Sequence, residues 1–144
     1  MIPKNGILVG VDFAEESALA LEFAVSMAQE WKTKLYVIHV YEHLPHYDYL
    51  LNERQEELKK KVREKLANCI PQSVKKNVPV ELILEEGQPV HHTIVEKTRE
   101  LGVDVIVVGT KGRTGLAHVW IGSVAEDVVL YAPCSVFVVR NGKH

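Results

Sequence analysis

The chain has 144 residues, 47% hydrophobic and 25% charged, with a formal net charge of −2. That length makes about one domain, residues 1–144, whose core can hold itself together without metals or disulfides. The near-neutral balance argues against a nucleic-acid module driven by a basic field. Two cysteines, Cys69 and Cys134, outside any CxxC pattern, exclude a disulfide framework and suit a reducing compartment.

The first apolar run, Ile7 to Val11, is broken by Gly10 and stopped by Asp12. It is too short for a secretory leader, which needs ~7–15 apolar residues. No window approaches the ~20 apolar residues of a membrane span. The expectation is a cytoplasmic domain with no membrane partner. The Ile7–Val11 run reads as a buried strand. From about Glu16 to Lys32, Leu21, Ala24, Ala28 and Trp31 recur on one helical face, with Glu15 and Glu16 at the positive end. Leu35 to Tyr41 is rich in β-branched and aromatic residues and predicts a second strand. Glu42 to Asp48 reads as a loop. A second helix is expected over Tyr49 to Ile70, with an apolar stripe of Leu58, Val62, Leu66 and Cys69 and Glu56/Lys60 and Glu57/Lys61 pairs on its wet face.

Val80 to Leu84 predicts a third strand, and Gly87 to Pro89 a turn. A third helix spans about Val90 to Glu100, with Gly102 as its cap. Val103 to Val108 is a fourth strand. A fourth helix ends near Tyr131, stopped by Pro133, and Ser135 to Arg140 is the fifth strand. Strands alternating with helices imply an α/β fold, a doubly wound parallel sheet covered on both faces. Such sheets bind ligands beyond the carboxyl ends of their strands. The residues so placed are Asp12, Val40 to Glu42, Glu86 to Gln88, and Gly109 to Ser123.

Four of the nine glycines, Gly109, Gly112, Gly115 and Gly122, fall within this last stretch. It leaves a buried strand and opens a helix at Gly122-Ser123. Unpaired N–H groups at a helix start, with the macrodipole, favour an anion. Lys111 and Arg113 add positive charge, and Ser123 adds a hydroxyl. A phosphate fits this set. The G-x-x-x-x-G-K-[ST] and G-x-G-x-x-G fingerprints are both absent, so neither a P-loop nor a standard dinucleotide fold is indicated.

The spacing of Gly109, Gly112 and Gly122-Ser123 is G-x2-G-x9-G-S. It resembles the nucleotide-binding signature of the universal stress protein family. Ile7 to Ser17, Val105 to Leu116, Gly122 to Glu126 and Ala132 to Val139 are similar to the family's opening strand and turn, phosphate loop, closing helix and last strand. The resemblance covers nearly the whole chain. It implies a five-stranded sheet in the order 3-2-1-4-5, of the adenine nucleotide alpha hydrolase-like type. It implies adenine near Val11, Asp12 and Val40, and ribose and phosphates at Gly109, Gly112, Gly122, Ser123, Val124 and Ala125. ATP, AMP or ADP is the implied ligand, with or without Mg carried on its phosphates. Homodimers are implied too, and an apolar edge at residues 135–140 would suit one. Ala14 stands where the family often has Ser, so the first helix loses a capping hydroxyl.

The leading expectation is an adenine-nucleotide-binding stress-response or signalling module that acts on an unknown protein partner. The alternatives are a slow ATP hydrolase or phosphotransferase and a nucleotide-independent interaction protein. No general base, nucleophilic triad or metal-ligand spacing stands out. His91 and His92 face different ways on a helix, so no metal is expected on protein side chains. His43, His46 and His118 are read as loop residues, with His118 the one nearest a phosphate. His39, within the second strand, is expected to be half-buried and satisfied.

Overall fold

The computed structural model describes residues 4–42, 49–110 and 121–141. Among them, five strands form one parallel sheet: β1 (Ile7–Gly10), β2 (Leu35–Tyr41), β3 (Val80–Glu86), β4 (Val105–Gly109) and β5 (Ser135–Val139). Their order is β3-β2-β1-β4-β5, the order the family resemblance implies. Five helices connect them: α1 (Glu15–Trp31), α2 (Tyr49–Asn68), α3 (Gln72–Asn77), α4 (Val90–Leu101) and α5 (Ser123–Tyr131).

The central strands β1 and β4 are apolar on both faces, and the period of two divides the core into two halves. Ile7, Val9, Leu35, Val37, Val105 and Val107 point to one side. They meet Ala20, Leu21, Ala24 and Ala28 of α1, with Leu66, Ile70 and Val74 from the α2–α3 region. Leu8, Ile38, Ile106 and Val108 point to the other, against Ile94 of α4 and Ala125 and Val128 of α5. Parallel strands need covered faces, and each crossover supplies a helix.

Two details differ from the expected elements. A short helix, α3, follows Pro71 and buries only Val74, too little for a periodic signal. In α2 the expected stripe docks in part. Leu66 is buried and Val62 half-buried, whereas Leu58 and Cys69 are exposed. The helix therefore meets the core near its end, through Leu66, and Ile70 just beyond it is buried too. On its wet face Glu56 bonds Lys59 at 3.3 Å, an i,i+3 pair.

At the amino edge of the sheet, the Asp104 carboxylate accepts the Lys4 and Asn5 backbone N–H groups, each at 2.9 Å. These bonds, Asn5's foremost, hold the carboxyl below the ordinary aspartate range. No helix among the described residues is long and apolar enough to cross a membrane.

Candidate functional site

Strand order reverses between β1 and β4, so the chain leaves these neighbours in opposite directions and opens a crevice at their carboxyl ends. The β1 side is an interlocked turn. Val11 is buried, and its N–H donates to Ile38 O at 2.9 Å. Asp12 Oδ1 accepts the Ala14 N–H at 2.9 Å, and the Asp12 N–H donates to Ser17 Oγ at 3.2 Å. Ser17 Oγ in turn donates to Ala14 O at 3.0 Å. Ala14 is the N-cap of α1 and makes no side-chain cap. The buried Ser17 hydroxyl thus works within the turn where Ala14 brings no hydroxyl.

The β4 side is built by Gly109 and Thr110. A Cβ at Gly109 would lie 2.7 Å from the Glu16 carbonyl carbon and 2.8 Å from its oxygen. Glycine is required here by the close pass of α1. Thr110 is buried, its N–H donates to Val139 O at 3.0 Å, and its carbonyl accepts the Gly122 N–H. That last bond returns the chain to the end of β4 after residues 111–120. α5 then begins with Gly122 as N-cap and no side-chain cap. The first intrahelical bond runs from Glu126 N to Gly122 O, so the N–H groups of Ser123, Val124 and Ala125 have no intrahelical acceptor. Such a helix start suits an anion.

The structure therefore brings Val11, Asp12, Gly109, Gly122 and Ser123 to one edge. Val124 follows on the exposed first turn of α5, and Ala125 is buried in the same turn. Val40 lies one strand over, near the end of β2, and packs against the α4–α5 half of the core. Lys111, Gly112 and Arg113 lie outside the described residues, as do Gly115, His43, His46, His118 and Trp120.

Two contributors had no signal as site residues in the sequence, Phe13 and His39, whereas Thr110 lies within the Gly109 to Ser123 stretch already singled out. Phe13 adopts a left-handed conformation, φ 66°. Its ring lies 4.7 Å from the His39 ring, and Lys65 Nζ of α2 stands 4.4 Å from its centroid. His39 is half-buried and bonded through Nδ1 to Val11 O at 2.7 Å. Elsewhere, His91 Nδ1 stands 3.3 Å from Asp127 Oδ2 and joins α4 to α5. Among the described residues no group of three His, Cys, Asp or Glu could hold a metal. Cys134 precedes β5 at the sheet's amino edge, away from the crevice, and burial pushes its thiol above the ordinary range.

The Universal stress protein family model matches residues 5–140. Universal stress protein YxiE of Bacillus subtilis is 32% identical over 149 residues, covering 94% of this chain and 99% of the relative. Among solved structures, universal stress protein UspA from Lactobacillus plantarum superposes with a TM-score of 0.79 at 27% identity, over 94% of this chain and 97% of that one. The universal stress protein from Archaeoglobus fulgidus, solved in complex with dAMP, has a TM-score of 0.63 at 25% identity, over 96% and 99%.

Proposed function

Since this chain belongs to the universal stress protein family, we propose that it is an adenine-nucleotide-binding stress-response or signalling module that works in the cytoplasm as a homodimer. The observation that carries the reading is the crevice at the strand reversal. It sets the Asp12 turn on one side and the uncapped start of α5 on the other. A base suits the first, and ribose with phosphate suits the second. The Archaeoglobus fulgidus relative in complex with dAMP gives the class of ligand. In this reading Val11, Asp12 and Val40 hold the adenine. Gly109, Gly112, Gly122, Ser123, Val124 and Ala125 hold ribose and phosphate, and Lys111 and Arg113 add charge, with Mg carried by the phosphates where ATP is bound.

Titration calorimetry of nucleotide-free protein with AMP, ADP and ATP-Mg, beside GTP-Mg, tests it. Saturable binding of adenine nucleotides in preference to GTP is expected. Absence of binding at millimolar nucleotide would sink the reading. A Gly122→Val variant that loses nucleotide and still binds the protein partner would favour the nucleotide-independent alternative.

A further inference from the structure

Phe13 is a bulky residue held at φ 66°, where a side chain crowds its own backbone by roughly 1–2 kcal/mol. Such a conformation persists only where neighbours over-determine it. Two of those neighbours come from other elements. Lys65 of α2 stands over the Phe13 ring, and His39 of β2 touches both the ring and the backbone of the same turn.

The His39 contact is the more specific of the two. A carbonyl oxygen can only accept, so Nδ1 of His39 must carry the proton in its bond to Val11 O. In the neutral ring that fixes the tautomer as Nδ1–H. Val11 is held from both sides by β2, its N–H on Ile38 O and its carbonyl on His39. The next residue is Asp12, whose carboxylate accepts Ala14 N–H only if the chain turns there. The His39 bond therefore sits one residue upstream of the carboxylate assigned to adenine.

We propose that His39 is a positioning residue of the base-binding end of the crevice. Its Nδ1–H on the Val11 carbonyl fixes the turn that presents Asp12. The inference rests on the nucleotide-binding reading above. It extends that reading to a strand residue which touches the turn rather than the ligand.

The test separates the hydrogen bond from the ring contact. In an Asn variant, His39→Asn, the amide nitrogen takes the place of Nδ1 and the ring is lost. His39→Phe keeps a ring and loses the donor. Melting curves first establish that each variant is folded. AMP affinity is then measured beside that for ribose 5-phosphate, which lacks the base. His39→Phe is expected to weaken AMP by about fivefold to tenfold, the worth of one hydrogen bond. Its ribose 5-phosphate affinity should stay unchanged, and His39→Asn should remain within about threefold of wild type for both ligands, less than that hydrogen bond's worth.

AMP binding by the Phe variant at wild-type strength overturns the proposal, and so does an Asn variant as weak as the Phe variant. An equal loss of both ligands would mark a general structural role and overturn it too. A measurement on the unaltered protein stands apart from nucleotide. Nitrogen-15 shifts of neutral His39 should report the Nδ1–H tautomer, and the Nε2–H tautomer overturns the bond on which everything rests. If wild type binds ribose 5-phosphate but not AMP, the adenine reading itself falls and takes this inference with it. An intact adenine site indifferent to His39 overturns the inference alone.

Discussion

Gly109 and Gly10 end neighbouring strands at the same crevice, yet a methyl group meets different surroundings at each. At Gly109 it runs into the Glu16 backbone at 2.7 Å, which cannot move without shifting α1. At Gly10 it meets Ile94 Cδ1 at 3.6 Å and Val108 Cγ1 at 3.8 Å, ordinary contact. Gly109→Ala is expected to lower stability by about 1–3 kcal/mol, the usual cost of overpacking. Gly10→Ala should lie between neutral and about 1 kcal/mol stabilising, through a less flexible unfolded chain. Urea melts of both variants check this, and equal midpoints would defeat the packing account. The glycine spacing was legible in the sequence, but this reason for Gly109 was not, because Glu16 comes to it only through the crossover of α1. Asp104 offers a pH test at the same scale. Its folded-state pKa is depressed by the Asn5 and Lys4 N–H groups. Its contribution is therefore fully present above the unfolded aspartate value, ~3.9, and is lost as pH falls through the lower folded value. The melting temperature of wild type should exceed that of Asp104→Ala at neutral pH, and the gap should narrow on acidification below that range. A gap that widens in acid would contradict the tether.

The helix ends give a paired test at the scale of elements. α1 and α4 both finish on a left-handed residue, Lys32 at φ 51° and Gly102 at φ 66°. Each cap N–H bonds the carbonyl four residues back, Ala28 and Thr98. Only one of the two residues suits that backbone. Nothing lies within 4 Å of a Cβ placed at Gly102, so Gly102→Ala isolates the backbone cost, about 1 kcal/mol. Lys32→Gly should stabilise by about 0.5–1 kcal/mol for the same reason. Thermal melts should move in opposite directions, by roughly 2–4 °C per kcal/mol in a chain of this size. Movement in the same direction would show that side-chain contacts decide these ends. Gly102 was legible as a cap because glycine there is the common solution, and Lys32 was not, because lysine near a helix end reads as dipole compensation. β1, β4 and β5 were legible as apolar runs of a sheet covered on both faces, and β2 by its β-branched and aromatic residues. β3 was legible only over Val80 to Leu84, since Glu85 and Glu86 carry it past its apolar part. α3 was not, since one buried valine in six residues carries no period. α2 was half legible, its stripe reaching the core at Leu66 but not at Leu58 or Cys69.

The two edges of the sheet differ, and that difference bears on assembly. β3 carries Glu81, Glu85 and Glu86, and Lys34 and Lys97 pair with Glu81 and Glu85 at 3.6 and 2.7 Å. Charges of this kind blunt an edge against pairing. β5 reads Ser-Val-Phe-Val-Val, with no charge along its length. Phe137 is 43% exposed and lies 5.8 Å, ring to ring, from Phe23, itself 48% exposed. Leu130 and Tyr131 at the end of α5 are more exposed still, at 66% and 59%. A second copy of the chain laid along β5 would cover the unpaired strand and the phenylalanine pair together. Phe137→Glu sets a charge on that edge at a side chain that is already 43% exposed. Wild type is expected to sediment as a dimer at tens of micromolar, and Phe137→Glu as a folded monomer with unchanged far-ultraviolet dichroism. α5 runs from the crevice, where its first turn is proposed to take phosphate, to a last turn that bears the exposed Leu130. If nucleotide and dimer bias the same helix, linkage requires each to change the affinity for the other by one factor. Adenine nucleotide should then shift the dimer dissociation constant of wild type, with the monomeric variant's nucleotide affinity displaced by the matching amount. A monomeric wild type, or a Phe137→Glu dimer as tight as wild type, removes β5 as the interface.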